Sequence, residues 1–346
     1  MKITRSWRGV LGTAVLAGCV AAAAPLAGAG AATATHGRPQ ATSKGVIAFS
    51  YGNESSGIYP LIADPAKAEA TKRGYSFIEG DADGSCTKQV QNLQDFVARK
   101  VQAIVVLPLC GLSEVKAVVT QAEAAHIVVV GYSEPVPGSS AAIEYNNVAG
   151  STAVANYAVA WYHKNFAKGQ PFSWALFTYD QCGSPCTERT DPVRSIIEKA
   201  TGVKPLEAVG AAASVGYPEM QSLLQKNPDI DMVIGVDDDV ALGADQALVQ
   251  QIAAKHRDPS KIFVAGMDGE NQALQLIAKG GGKYGIYRAS GALNLVSIGL
   301  AVADLPIDIL QGKPSSSLFL NYDLVTTPPA ASQLLNLYTQ TLKSGH

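Results

Sequence analysis

The chain has 346 residues, 47% of them apolar and 16% charged, and a formal net charge of −2. Scattered Lys and Arg with that balance exclude an electrostatic nucleic-acid binder. No run beyond the N-terminal leader is long and clean enough to span a bilayer, and the roughly 300 residues after it are more than one core usually carries, so two lobes are expected.

Residues 1–34 read as a secretory signal peptide. Lys2, Arg5 and Arg8 precede a short apolar stretch at 10–24, and small residues follow, with Ala27-Gly28-Ala29 and Ala32-Thr33-Ala34 as cleavage candidates. Leu16-Ala17-Gly18-Cys19 also resembles a bacterial lipobox, in which Cys19 would be acylated. The expected product is exported, either secreted or lipid-anchored at the outer face of the membrane. Residues 35–44 read as a polar linker. Cys86, Cys110, Cys182 and Cys186 remain after the leader, and an even count in an exported chain implies disulfides in one of three pairings. A metal site of C-x3-C spacing lacks a histidine partner, so no metal is expected.

From residue 46 strands and helices alternate at short spacing. Strands are expected at 46–50, 75–79, 103–107 and 127–130, with amphipathic helices at 59–73, 87–99 and 113–125 between them. Pro65 is awkward inside the first helix and suggests a later start. Residues 103–107 form a continuous apolar run, as in a parallel strand covered on both faces. A fifth strand at 141–145 leads to Asn147, read as the cap of a helix reaching Phe166. The alternation then resumes, with strands at 173–178, 205–209, 232–236, 262–265 and 284–287. Helices at 187–200, 218–226, 240–255 and 271–279 separate them. A helical pattern at 291–310 is expected to break at Pro306, followed by a strand at 318–324 and a tail helix. The fold class is therefore α/β, with two successive doubly wound parallel sheets.

Enzymatic signatures fail one by one. Gly131-Tyr-Ser-Glu-Pro135 ends in Pro where a nucleophile elbow needs Gly. Gly280-Gly-Gly-Lys283 is followed by Tyr284 and is not a P-loop. Asp81-Ala-Asp-Gly84 lacks EF-hand spacing. None of the five histidines has catalytic partners at hand. No enzyme activity and no cofactor are expected.

What remains is a set of polar residues just after strands, where ligands bind in open parallel sheets. Asn53, Ser56 and Tyr59 follow the first strand, and Ser133 and Glu134 the fourth. Arg189 opens a helix of the second unit. The triplet Asp237-Asp238-Asp239 follows the Ile234-Gly235-Val236 strand end, Asp268 follows Val264-Ala-Gly-Met267, and Ser290 follows Gly285-Ile-Tyr287. One acid of the triplet should cap a helix, because acids face its positive end. Charged groups of this kind make the strong hydrogen bonds that hydroxyl-rich ligands require.

These stretches carry a family resemblance. The first strand Gly45-Val-Ile-Ala-Phe-Ser50, Arg73-Gly74-Tyr75 and Ile104-Val-Val-Leu-Pro108 resemble the type I periplasmic sugar-binding proteins, the ribose/galactose group that serves ABC transporters. So do Asn146-Asn147, Thr187-Glu-Arg-Thr190, Gly235-Val-Asp-Asp-Asp-Val-Ala-Leu-Gly243 and Val264-Ala-Gly-Met-Asp-Gly269. The resemblance implies a solute-binding protein, a monomer, that closes two lobes on a small sugar and delivers it to an ABC permease. A ligand-sensing subunit for a membrane receptor is the alternative. It further implies that Arg189, Asp237 and Asp268 bond sugar hydroxyls and that Tyr59 packs on the ring. By the same resemblance three hinge strands join an N-terminal lobe (44–145 plus 291–317) to a C-terminal lobe (146–288 plus 318–346). Two departures stand out: an acid, Glu134, where the family commonly has Arg, and Pro108 where a polar residue is usual. With Glu134, Asp237 and Asp268 set against Arg189, a cationic ligand such as an amino sugar becomes an alternative.

Overall fold

The computed structural model describes residues 43–53 and 57–344. The expected leader with Cys19, most of the linker, and Ser56 lie outside these residues.

The first lobe is wound from β1 (Val46–Tyr51), α1 (Ile58–Lys72), β2 (Ser76–Asp81), α2 (Cys86–Ala98), β3 (Ala103–Val106), α3 (Leu112–Ala124), β4 (Val128–Ser133) and β5 (Ala141–Tyr145). Its strands are parallel in the order β2-β1-β3-β4-β5, and β11 (Leu318–Leu320) adds to β5 as a sixth. The Ala103-Ile-Val-Val106 run is buried at every residue, as a central strand with helices on both faces must be.

The second lobe repeats the scheme. It contains α4 (Asn147–Asn165), β6 (Trp174–Thr178), α5 (Ser184–Thr201), β7 (Leu206–Val209), α6 (Ala213–Lys226), β8 (Met232–Ile234), α7 (Asp238–Lys255), β9 (Phe263–Asp268), α8 (Asn271–Ala278) and β10 (Tyr287–Ala292). The order is β7-β6-β8-β9-β10, closed by β12 (Asp323–Val325), which runs antiparallel to β10. After β10 the chain enters α9 (Leu295–Leu310), which packs on α1 and the first sheet; α10 (Pro328–Ser344) packs on α8 of the second lobe. The chain therefore crosses between the lobes three times: from β5 to α4, from β10 to α9, and from β11 to β12.

Several expected boundaries move. The strand expected at 284–287 is β10, displaced to 287–292, because Gly280, Gly281, Gly282 and Gly285 all hold positive φ and form a turn. Gly291 and Ala292 pair with β9 and so belong to the second sheet, not to the returning segment of the first lobe. The strand expected at 318–324 is two strands, one in each sheet, so Leu318–Leu320 belongs to the first lobe. Neither proline breaks its helix: α1 runs from Ile58 through Pro65, and α9 continues through Pro306. Both prolines are buried, and Pro65 packs beside Gly299 of α9. Arg73 spans the region of Pro306, donating to Asp304 Oδ1 (2.7 Å) and Asp308 Oδ1 (2.5 Å). Tertiary packing here outweighs the hydrogen bond that each ring removes. Pro218 likewise lies inside α6, which begins five residues earlier.

One buried group works against the fold. Asp245 on α7 has an Oδ1 without a partner, and burial pushes its carboxyl up to about 7. A carboxyl whose pKa is raised on folding costs nothing below the unfolded value near 4. The cost grows as pH rises through about 7 and is constant above. Asp245→Asn is expected to gain about 1–3 kcal/mol above pH 7, the amide still lacking a full set of partners, and nothing below pH 4. Urea unfolding midpoints at the two pH values check this, and an equal gain at both would refute it.

Candidate functional site

A cavity of about 420 Å³ lies between the lobes, at the carboxyl ends of both sheets. The first lobe contributes Asn53 after β1, Tyr59 on α1, Leu107–Leu109 after β3, and Ser133 and Glu134 at the end of β4. The second contributes Tyr179, Arg189, the stretch 209–212, Asp237, Asp239 and Asp268. Parallel winding puts the carboxyl ends of the parallel strands, and the strand-to-helix loops that follow them, on this one edge of each sheet.

The first-lobe wall is held from behind. Gln89 of α2 donates to Leu107 O (2.6 Å), and its Oε1 accepts from Leu109 N–H (3.0 Å). A disulfide between Cys86 and Cys110 ties the same loop to the start of α2. Tyr59 stacks against Tyr51, ring centres 4.8 Å apart. In the second lobe a Cys182–Cys186 disulfide closes the turn before α5, and both cysteines line the cavity. Of the three pairings open to the sequence, the adjacent one in each lobe is formed.

The three aspartates divide their tasks. Asp237 caps α7, its Oδ1 accepting from Val240 N–H (2.8 Å), and lines the cavity. Asp239 lines it as well. Asp238 turns inward and is fully buried. Its Oδ2 accepts from Gly269 N–H (2.9 Å), Glu270 N–H (2.9 Å) and Ser290 Oγ (2.7 Å), and its Oδ1 from Tyr287 Oη (2.8 Å). Ser290 is thereby explained: it is buried behind the cavity as a partner of Asp238 and does not line the cavity, contrary to its expected place among ligand contacts. Burial, reinforced by Asp239 and Asp268, pushes Asp237 up to about 8.

Arg189 and Asp268 form a two-pronged ion pair, Nη2 to Oδ1 at 2.8 Å and Nη1 to Oδ2 at 3.1 Å. Nε donates to Asn147 Oδ1 (3.1 Å), Nη2 to Tyr322 Oη (2.8 Å), and Tyr322 donates in turn to Asn147 Oδ1 (2.8 Å). Burial works to lower the Arg189 pKa, but Asp268 and Tyr322 overcome it and hold it raised. Asn147 is therefore not the helix cap; Asn146 caps α4, accepting from Ala149 N–H (3.2 Å), and frees Asn147 for this network. The Tyr322 ring lies on Gly150, where a Cβ would sit 2.6 Å from it, so only glycine admits the ring. Asp268 itself holds φ +105°, a conformation L residues rarely adopt.

Glu134 reaches across the lobes, its Oε2 accepting from Ser184 Oγ at 3.5 Å. Burial raises its pKa. Of the expected set, Asn53, Tyr59, Ser133, Glu134, Arg189, Asp237 and Asp268 come together around the cavity, while Ser290 stands behind it. Tyr132, Tyr145, Tyr179 and the apolar α9 residues Leu295 and Ile298 also line it and were not anticipated. Tyr132 and Tyr145 look in sequence like ordinary strand residues, and α9 returns to the first lobe from the far side of the second, so no local signal marked them.

Comparisons with known proteins agree with this geometry. A family model described as a periplasmic binding protein domain matches residues 47–314. The ribose import binding protein of Bacillus subtilis is 28% identical over 250 residues, which cover 71% of this chain and 75% of that protein. The D-apiose import binding protein of Actinobacillus succinogenes is 25% identical over 242 residues, covering 68% and 74%. Among solved structures, an ABC transporter solute binding protein from Mycobacterium smegmatis with bound glycerol superposes with a TM-score of 0.69 at 27% identity. The match covers 84% of this chain and 96% of that one.

Proposed function

The chain belongs to the periplasmic binding protein family, and from that premise we propose that it captures a small sugar or sugar-like molecule between its lobes and hands it to an ABC permease. It acts outside the cytoplasm and performs no covalent chemistry. The observation that carries the reading is the cavity itself, bounded by both lobes, with Arg189, Asp237 and Asp268 on one side and Asn53 and Tyr59 on the other. A ligand touching both walls favours the closed arrangement by its differential affinity for it, and closure presents a new surface to the permease. The relatives named for ribose and D-apiose import support a sugar as the ligand class. A leader ending near residue 34 would export the chain; acylation at Cys19 would hold it at the membrane, and cleavage beyond Cys19 would release it.

The test is thermal unfolding against pentoses, hexoses, sugar alcohols and amino sugars. A ligand at a hundred times its dissociation constant adds about 2.7 kcal/mol and raises the midpoint by a few degrees. No rise with any of them would refute the sugar reading.

A further inference from the structure

Arg189 is the single cationic side chain lining the cavity among the described residues, and its guanidinium is fully engaged by the protein. A guanidinium offers five N–H donors. One goes to Asn147, two to Asp268, one to Tyr322, and one to Val236 O at 3.4 Å. None is left over for a ligand. Arg189 thus orients Asp268 and the hinge, and the expectation that it donates to sugar hydroxyls is not what this geometry favours.

The other charged groups around the cavity are carboxylates: Asp237, Asp239 and Asp268 on the second-lobe wall, the last paired with Arg189, and Glu134 on the first-lobe side. Ionised carboxylates only accept hydrogen bonds. The opposite wall is of another kind. Beside Asn53 and Ser133 at its strand ends it carries a carbon stretch of Ile58, Leu107, Leu109, Leu295 and Ile298, and Pro108 stands between the two leucines with no donor of its own. Each wall is fixed independently, one by Gln89 and the Cys86–Cys110 bridge, the other by the Asp237 cap and the Arg189–Asp268 pair.

We propose that the cavity takes a two-faced ligand, with hydroxyl or ammonium donors along the edge that meets the second-lobe carboxylates and a carbon face against the first-lobe wall, and that it rejects sugar acids and sugar phosphates. This rests on the sugar-binding reading and narrows it. The Arg189–Asp268 pair is neutral as a unit, so an anion would meet the carboxyl groups of Asp237, Asp239 and Glu134 and, among the described residues, no cation outside that pair, in a site where water screens little. A deoxy position turned toward Leu107 and Leu109 loses no hydrogen bond, whereas a hydroxyl there would go unpaired. Burial chiefly, with Asp239 and Asp268 adding to it, raises the Asp237 carboxyl.

Matched ligand series test it, with the full chain titrated calorimetrically. One series is glucose, 6-deoxyglucose, glucosamine, glucuronate and glucose 6-phosphate; the galactose and ribose series are built the same way. In whichever series binds, the acid and phosphate should bind roughly 100-fold or more weakly than the neutral sugar, since like charge brought together without compensation costs several kcal/mol. The deoxy or amino member should bind at least as well as the neutral one. Asp239→Asn should narrow the gap between neutral and anionic members by roughly tenfold, the worth of one nearby charge. An anionic member that binds as tightly as its neutral counterpart overturns the inference while leaving the sugar-binding reading intact. Binding by no member of any series overturns both.

Discussion

Arg189→Ala is expected to destabilise the protein by about 3–5 kcal/mol, because removing one partner of a buried ion pair leaves the other charge uncompensated. The uncompensated group is Asp268, whose only cationic neighbour in the ion pairs of the described residues is Arg189. The loss extends beyond the pair. Arg189 holds Asn147 at the first lobe crossing and Tyr322 at the third, and Asp268 O accepts from Leu293 N–H (3.1 Å) at the second. One guanidinium–carboxylate unit therefore touches all three crossings. Arg189→Ala should abolish ligand-induced stabilisation even though Arg189 has no donor to give the ligand. Tyr322→Phe, which removes a hydroxyl outside the cavity, should cost about 1 kcal/mol and weaken binding of every ligand alike. Chemical unfolding of Arg189→Ala, Asp268→Asn and the double variant checks the coupling. Additive losses would show that the two side chains do not act together.

Asp238→Ala is the second large effect, with a loss of at least about 3 kcal/mol expected from stranding three buried donors at about 1–3 kcal/mol each, Gly269 N–H keeping Ser290 Oγ as a second acceptor (3.1 Å). Burial pushes the Asp238 carboxyl upward, against the pull of Ser290 and the backbone N–H groups. Asp238→Asn should be far milder. A carbonyl at the Oδ2 position keeps the bonds from Gly269, Glu270 and Ser290, and the Tyr287 hydroxyl can turn to accept from the new amide where it now donates to Oδ1. Urea unfolding of both variants decides the matter; equal losses would mean that the charge, not the acceptor geometry, holds this corner. Since Asp238 sits between Asp237 and Asp239, the Ala variant should also blur the cavity wall and lower affinity.

Much of the architecture was written locally. Binary pattern and turn residues are short-range properties, so the alternation of strand and helix, the apolar run at 103–107 and a capping acid somewhere in the Asp237–Asp239 triplet could be read directly. The switch-point rule then put most polar candidates at the right edge of the sheets. Boundaries failed where a distant partner decides them. Pro65 stays helical where α1 packs on Gly299 of α9, more than 200 residues away, and Pro306 lies buried inside α9, whose neighbours Asp304 and Asp308 are held by Arg73. Residues 318–324 read as one strand because alternation says nothing about which sheet each half joins.

The site shows the same division. Sequence alone determined that this chain is a doubly wound α/β protein with acids and one arginine near its strand ends, since residue type and spacing carry that information. Only the tertiary structure decided which of those groups face a ligand. Ser290 and Asp238 turned out to serve each other, Asn147 to serve Arg189 in place of its own helix, and Arg189 to be occupied before any ligand arrives. Hydrogen-bond saturation is a property of three-dimensional neighbours: Asn147, Tyr322 and Asp268 lie 42, 133 and 79 positions from Arg189, and no local pattern couples residues so far apart.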